Sequence, residues 1–234
     1  MASLGLAMSF TYKPVEKEKL TVIFDHYVGD RLLQFDSVNY KNELGQAYIV
    51  TKFKYYIGNI RLKKRNGGTV AFKDYYLINE EEEGSKKIVL EKLPGEEYTG
   101  IEFIIGVDSL HNCSGAQSGA LDPVNGMFWT WNSGYIFLKL EGKSAASKSP
   151  GHVFEYHIGG YKQPANCIRK ISLHFSKPMQ AGSMKELHIK ADIAEILKAK
   201  TVIDFSKYSS VTDFHNATMI ADNYMNMFSI TDIK

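Results

Sequence analysis

The sequence has little of what most often declares a function. It holds only two cysteines and two tryptophans in 234 residues. It has no Cys-x-x-Cys pair, so neither a zinc ribbon nor a dithiol redox centre is spelled out. It contains no GxGxxG, no P-loop, no HExxH and no GxSxG elbow, so a dinucleotide enzyme, an NTPase or a common hydrolase would have to use an unadvertised arrangement. Excess charge of either sign is missing as well. Lys and Arg number 28 against 26 Asp and Glu, a net charge of +2, which gives little long-range attraction for nucleic acid. Nor is there an apolar run near the roughly 18 residues of a membrane span; FIIGV at 103–107 is far too short. The opening MASLGLAMSF has no charged leader and is not an intact secretion signal. Residues 1–18 read as a flexible N-terminal segment or leader remnant, ahead of one domain over 19–234.

The two cysteines, Cys113 in HNCSG and Cys167 in PANC, both sit in turn-rich contexts. An even pair has one connectivity. The expectation is a disulfide, worth about 4 kcal/mol in the chain-entropy model, and hence an exported protein. The alternative is two unpaired thiols.

What is there is alternation with a period of two. Lys19–His26 places Leu20, Val22 and Phe24 on one face. Tyr48–Leu62 reads as two strands or one bulged strand, and Asn66-Gly67-Gly68 as a hairpin turn into Thr69–Ile78. Further strands are expected at Lys87–Leu90, Thr99–Val107, Tyr135–Leu140, Val153–Ile158, Ile168–Phe175 and Glu186–Ala191. Close, turn-punctuated strands without intervening long amphipathic helices predict a mainly β protein, an antiparallel β-sandwich with short helices. The helices are expected at Asp192–Lys198, capped by Asp192, and at the C-terminus over Val211–Phe228. The acidic run Glu80–Glu83 reads as a solvated turn.

One stretch stands apart. Gly119–Gly142, GALDPVNGMFWTWNSGYIFLKLEG, gathers Met127, Phe128, Trp129 and Trp131 in a turn-rich connection. An aromatic knot in a connecting segment is either a plug over an open core or a site that needs indole rings. Among seven histidines, His26 and His157 lie at strand ends, and His157 precedes two glycines in FEYHIGGY. Either is readable as a core histidine. Together, beside a Met-containing aromatic loop, they suit a soft transition metal, because imidazole and thioether favour copper over hard cations. Calcium held by Asp108, Asn112 and Asp122 is the weaker alternative, since these residues serve equally well to orient turns. Two rival readings carry no metal. One is a cell-surface module that binds protein or glycan through exposed Trp and Tyr. The other is an enzyme pairing Asp108 with a histidine, which no local signature demands.

Six segments together resemble the MbnP-like family: KYYIGNIRL at 54–62, YYLIN at 75–79, GVDSLHNCSG at 106–115, the 119–142 block, FEYHIGG at 154–160 and ADNYMNMF at 221–228. The resemblance extends over most of the chain. It implies an exported β-rich protein, periplasmic or lipid-anchored, that binds copper and is not an enzyme. It also implies a dihaem peroxidase-like partner that oxidises a tryptophan to kynurenine; here Trp129 and Trp131 are the residues available, with no choice between them. His157 is the first candidate ligand, His26 the second, and Met127 a soft-ligand candidate for which packing is an equal alternative.

Overall fold

The computed structural model describes residues 18–36, 39–129 and 134–234. In chain order the strands are β1 (Glu18–Val28), β2 (Arg31–Leu32), β3 (Tyr40–Lys41), β4 (Ala47–Lys64), β5 (Thr69–Asn79), β6 (Lys87–Leu93) and β7 (Glu97–Ile105). They continue with β8 (Phe128–Trp129), β9 (Gly134–Lys143), β10 (Val153–Gly159), β11 (Arg169–Gln180), β12 (Glu186–Asp192), β13 (Ser210–Val211) and β14 (Phe228–Ile233). Three short helices are α1 (Ser109–Cys113), α2 (Ile193–Ile196) and α3 (Phe214–Tyr224). The chain is mainly β, and the strands form two sheets. The smaller runs β14-β12-β1-β2, with β6 also on β1; the larger runs β11-β7-β4-β9-β10-β13, with β3 and β5 on β4 and β8 on β9.

The expected alternation is what buries the faces. Leu20, Val22 and Phe24 of β1 and Phe53, Tyr55 and Ile57 of β4 are fully buried. Phe24 meets Tyr55 and Phe103 edge-on, with centroids 6.2 and 5.8 Å apart, so the inner faces of the two sheets share one core. The long segment expected as two strands or one bulged strand is the single strand β4. Its pairing with β9 shifts register between Val50 and Lys52, and its pairing with β5 between Gly58 and Ile60.

Three expectations are corrected. The sandwich is mixed rather than antiparallel, because β1 pairs β12 and β10 pairs β13 in parallel. Strand direction depends on which distant segment arrives alongside, and local periodicity carries no record of that. Next, the C-terminal helix ends at Tyr224, not Phe228. Ala217, Ile220, Ala221 and Tyr224 are buried as the helical spacing requires. The side chain of Asn223 then anchors the helix end, donating to Ile196 O and Thr201 O and accepting from the Lys200 and Thr201 amides. The chain turns, and Phe228 begins a strand on β12 instead. Finally, the cysteines are unbonded. Exposed Cys113 donates to the Tyr161 hydroxyl at 3.4 Å, and buried Cys167 to Ala165 O at 3.6 Å. Burial pushes the Cys167 thiol up to about 12, so it packs as a small hydrophobe. Helix α2 follows its Asp192 cap as expected, with Asp192 accepting from the Ala194 amide at 2.9 Å. Among the described residues no helix is long and apolar enough to cross a membrane.

The outer face of the larger sheet is covered at one end. The connection from Gly106 to Trp129 crosses it, and a local aromatic layer forms beneath. Tyr56 and Tyr135 meet edge-on at 5.8 Å, and their hydroxyls donate to Ala120 O and Leu121 O at 3.0 and 2.8 Å. Met127 is fully buried in this packing. The aromatic knot therefore does serve as a plug, but on the outside of the sheet rather than over the end of the core.

Candidate functional site

The covered end meets an open polar row, and His157 sits in it. Across three strands, Phe53 of β4 pairs with Leu140 of β9, which pairs with Tyr156 of β10. All three are buried. The adjacent row is Lys54, Lys139 and His157, which by alternation projects from the opposite, outer face. There His157 Nε2 lies 2.8 Å from Glu141 Oε1. The hydrogen bond to His157, with Lys52 adding its charge, holds the Glu141 carboxyl down at about 2. An ionised carboxylate only accepts, so Nε2 carries a proton; in the neutral imidazole that leaves the lone pair on Nδ1. Among the described residues Nδ1 has no hydrogen-bond partner. The neighbouring ammonium groups have partners of their own: Lys52 shares Glu141 at 3.4 Å, Lys54 pairs with Glu81 at 3.3 Å, and Lys139 donates to Gly126 O at 2.6 Å. Burial, together with Lys52 and Lys54, pushes Lys139 below the usual lysine range.

Two residues beyond His157 on the same chain, the glycines seat Trp129. A Cβ on Gly159 would stand 2.4 Å from Tyr135 O and 2.6 Å from the indole of Trp129. Gly160 has φ +118°, and a Cβ there would be 2.4 Å from Ala165 O. With no side chains at either position, Trp129 lies flush on β10 and meets Phe214 of α3 edge-on at 5.8 Å. Trp129 is only 6% exposed, so it is not the open indole platform expected of a glycan-binding surface. Trp131 lies outside the described residues. Beside Trp129 opens a cavity of about 350 Å³, whose walls include Tyr135, Tyr161 and Phe214.

His26 is elsewhere. It packs on the inner-face rings of Phe53 and Tyr55, at 4.8 and 5.5 Å, so the larger sheet separates it from His157. No single ion reaches both. Both of its ring nitrogens are occupied, Nδ1 by Glu80 at 2.7 Å and Nε2 by the Tyr55 hydroxyl at 3.0 Å. The acidic run is thus not wholly a solvated turn: Glu80 reaches inward, braced by Lys86 at 3.1 Å. Burial pushes His26 below its usual range. Glu80 is also lowered, since the hydrogen bonds from His26 and Lys86 outweigh burial. In both cases the unfolded chain binds protons more readily than the folded one, so stability falls as pH falls. For His26 the loss begins below its ordinary value of 6.5. We expect a lower melting temperature at pH 5 than at pH 7.5 and a shallower slope in His26→Gln; equal slopes in both proteins would contradict the assignment.

The hard-cation candidates do not converge either. Asp108 caps α1, accepting from the His111 amide at 3.0 Å and the Tyr75 hydroxyl at 2.7 Å. Asn112 donates to Val107 O and Asp108 O, and Asp122 accepts from the Val124 amide. Asp108 and Asp122 each hold a turn, and Asn112 Oδ1 accepts from the Tyr135 amide at 3.0 Å. Among the described residues, no three His, Cys, Asp or Glu side chains form a group able to hold a metal. Met127 is fully buried.

These features define a mixed β-sandwich that carries, on one face of its larger sheet, a carboxylate-held histidine beside an aromatic cavity. The sequence profile named MbnP matches residues 17–218, and the chain belongs to the MbnP family. The structure of MbnP from Methylosinus trichosporium is similar to this one, with a TM-score of 0.58 at 16% sequence identity, covering 82% of this chain and 80% of that chain. No curated protein matches the sequence.

Proposed function

We propose that this protein is an exported copper-binding protein, acting in the periplasm or at the cell surface as a carrier rather than an enzyme. Copper is its cargo, and His157 is one donor to it, through Nδ1. The observation that supports this reading is the 2.8 Å contact between His157 Nε2 and Glu141. Metal-bound imidazoles are commonly oriented by such a carboxylate on the other ring nitrogen, which fixes the tautomer and raises donor basicity. A neutral imidazole also suits copper better than calcium. Within this reading Glu141 is a positioning residue, and Trp129 shields one side of the donor from water. A dihaem peroxidase-like protein is the proposed partner, with tryptophan as the residue it modifies.

Competition for Cu(I) against a coloured chelator tests the donor. His157→Ala should lose the bound equivalent, and Glu141→Gln should weaken affinity by about 10–100-fold. Wild-type stoichiometry and affinity in His157→Ala would sink the assignment. The partner is tested by intact mass: protein from its native host should be heavier than protein made without the partner, and equal masses would contradict modification.

A further inference from the structure

We propose that the cavity beside Trp129 is a binding site for a small aromatic carboxylate, separate from the copper donor. Its volume of about 350 Å³ falls within the range of small-molecule pockets, roughly 300–1,000 Å³. Four of its lining residues are aromatic, Trp129, Tyr135, Tyr161 and Phe214. The deep polar atoms make no demand on a ligand. Asn112 spends its amide on Val107 O and Asp108 O and its oxygen on the Tyr135 amide, while the Tyr135 hydroxyl donates to Leu121 O. The interior therefore favours a flat apolar body. The rim has the opposite character. Lys162, exposed, holds its ammonium 5.2 Å over the Tyr161 ring. It makes no ion pair with a carboxylate among the described residues, and the described lining contains no Asp or Glu. A ring bound between aromatic walls, with a carboxylate at its edge, would meet that cation. Among the described lining residues a cationic ligand would find no carboxylate.

The neutral rim residue Gln163 adds an amide that can donate to the same carboxylate. The walls are also well set in advance. Gly159 and Gly160 leave room for the Trp129 and Phe214 rings, and the Gly160 carbonyl accepts from the Cys167 amide at 2.8 Å, closing the loop that carries Lys162. A cavity whose walls are held before the ligand arrives avoids part of the ordering cost of binding.

The test uses 2-naphthoate, with uncharged 2-naphthylmethanol as the control, on copper-free wild-type protein followed by ¹H–¹⁵N NMR. Naphthoate should shift the Gly160, Lys162 and Trp129 indole signals saturably and bind at least tenfold more tightly than the alcohol. Lys162→Met, at an exposed position, should reduce naphthoate to the affinity of the alcohol. Ala165→Trp, which fills the cavity, should abolish both. His157→Ala should bind naphthoate like wild type, so failure of the copper reading and failure of this one remain distinguishable. Equal affinity for the two probes, no saturable shift of these signals, or undiminished binding in Lys162→Met would overturn the proposal.

Discussion

Gly159→Ala is expected to destabilise the protein by about 3 kcal/mol, the upper end of the usual overpacking cost. For a chain of this size that corresponds to a melting temperature lower by roughly 6–12 °C. The new methyl group would stand 2.4 Å from Tyr135 O and 2.6 and 2.9 Å from two atoms of the Trp129 ring. The backbone oxygen belongs to β9, which is fixed between β4 and β10, so the clash cannot be relieved by a side-chain rotation alone. The indole would have to lift off β10, and it is closed in on its far side by Phe214. Gly84→Ala provides the control, because nothing lies within 4 Å of a Cβ there. Differential scanning fluorimetry of the two variants decides the matter. Indistinguishable melting temperatures would mean that Trp129 is not seated as described.

His26→Ala should cost about 1–3 kcal/mol, the range for leaving buried hydrogen-bonding groups without their partner. The imidazole is wholly buried and Glu80 partly so, at 0% and 17% side-chain exposure. Truncation leaves the Tyr55 hydroxyl without its partner and the Glu80 carboxylate facing a void, with Lys86 as its remaining brace. A combined His26→Leu, Glu80→Gln, Tyr55→Phe protein should recover much of the loss, because apolar groups replace the two buried partners and the part-buried position 80 no longer carries a charge. Urea denaturation with an unchanged m-value measures both differences. A loss below about 1 kcal/mol in His26→Ala would show that the network contributes little to stability. A loss in the expected range is the signature of a structural histidine, in contrast to His157, whose removal should alter metal binding and leave the fold intact.

The sequence made some of this legible and hid the rest for physical reasons. Leu20, Val22 and Phe24 could be placed on a buried face because strand periodicity is local. The Asp192 cap and the Asn66-Gly67-Gly68 turn were legible for the same reason. The partners of the two histidines were not. Glu80 is 54 residues from His26 in sequence, and its place in a run of four acidic residues makes it look like solvated surface. Glu141 occupies an ordinary outward position of β9, and only the register with β10 brings it to His157. The glycine pair after His157 announced a tight passage, yet the reason for it, the rings of Trp129 and Phe214, comes from two distant segments. Cys167 follows a turn-forming stretch but points inward, beneath the Tyr224 hydroxyl that donates to its carbonyl, so sequence context alone misplaced it.

Histidine ¹⁵N NMR during Cu(I) titration tests the central claim most directly. Before copper, at a pH where the imidazole is neutral, His157 should show the tautomer with Nε2 protonated and Nδ1 bare. One equivalent of Cu(I) should move the Nδ1 resonance of His157 while Nε2 keeps its proton toward Glu141, and the resonances of His26 should stay in place. Copper binding that leaves both His157 nitrogens unmoved, or that shifts His26 instead, would contradict the account.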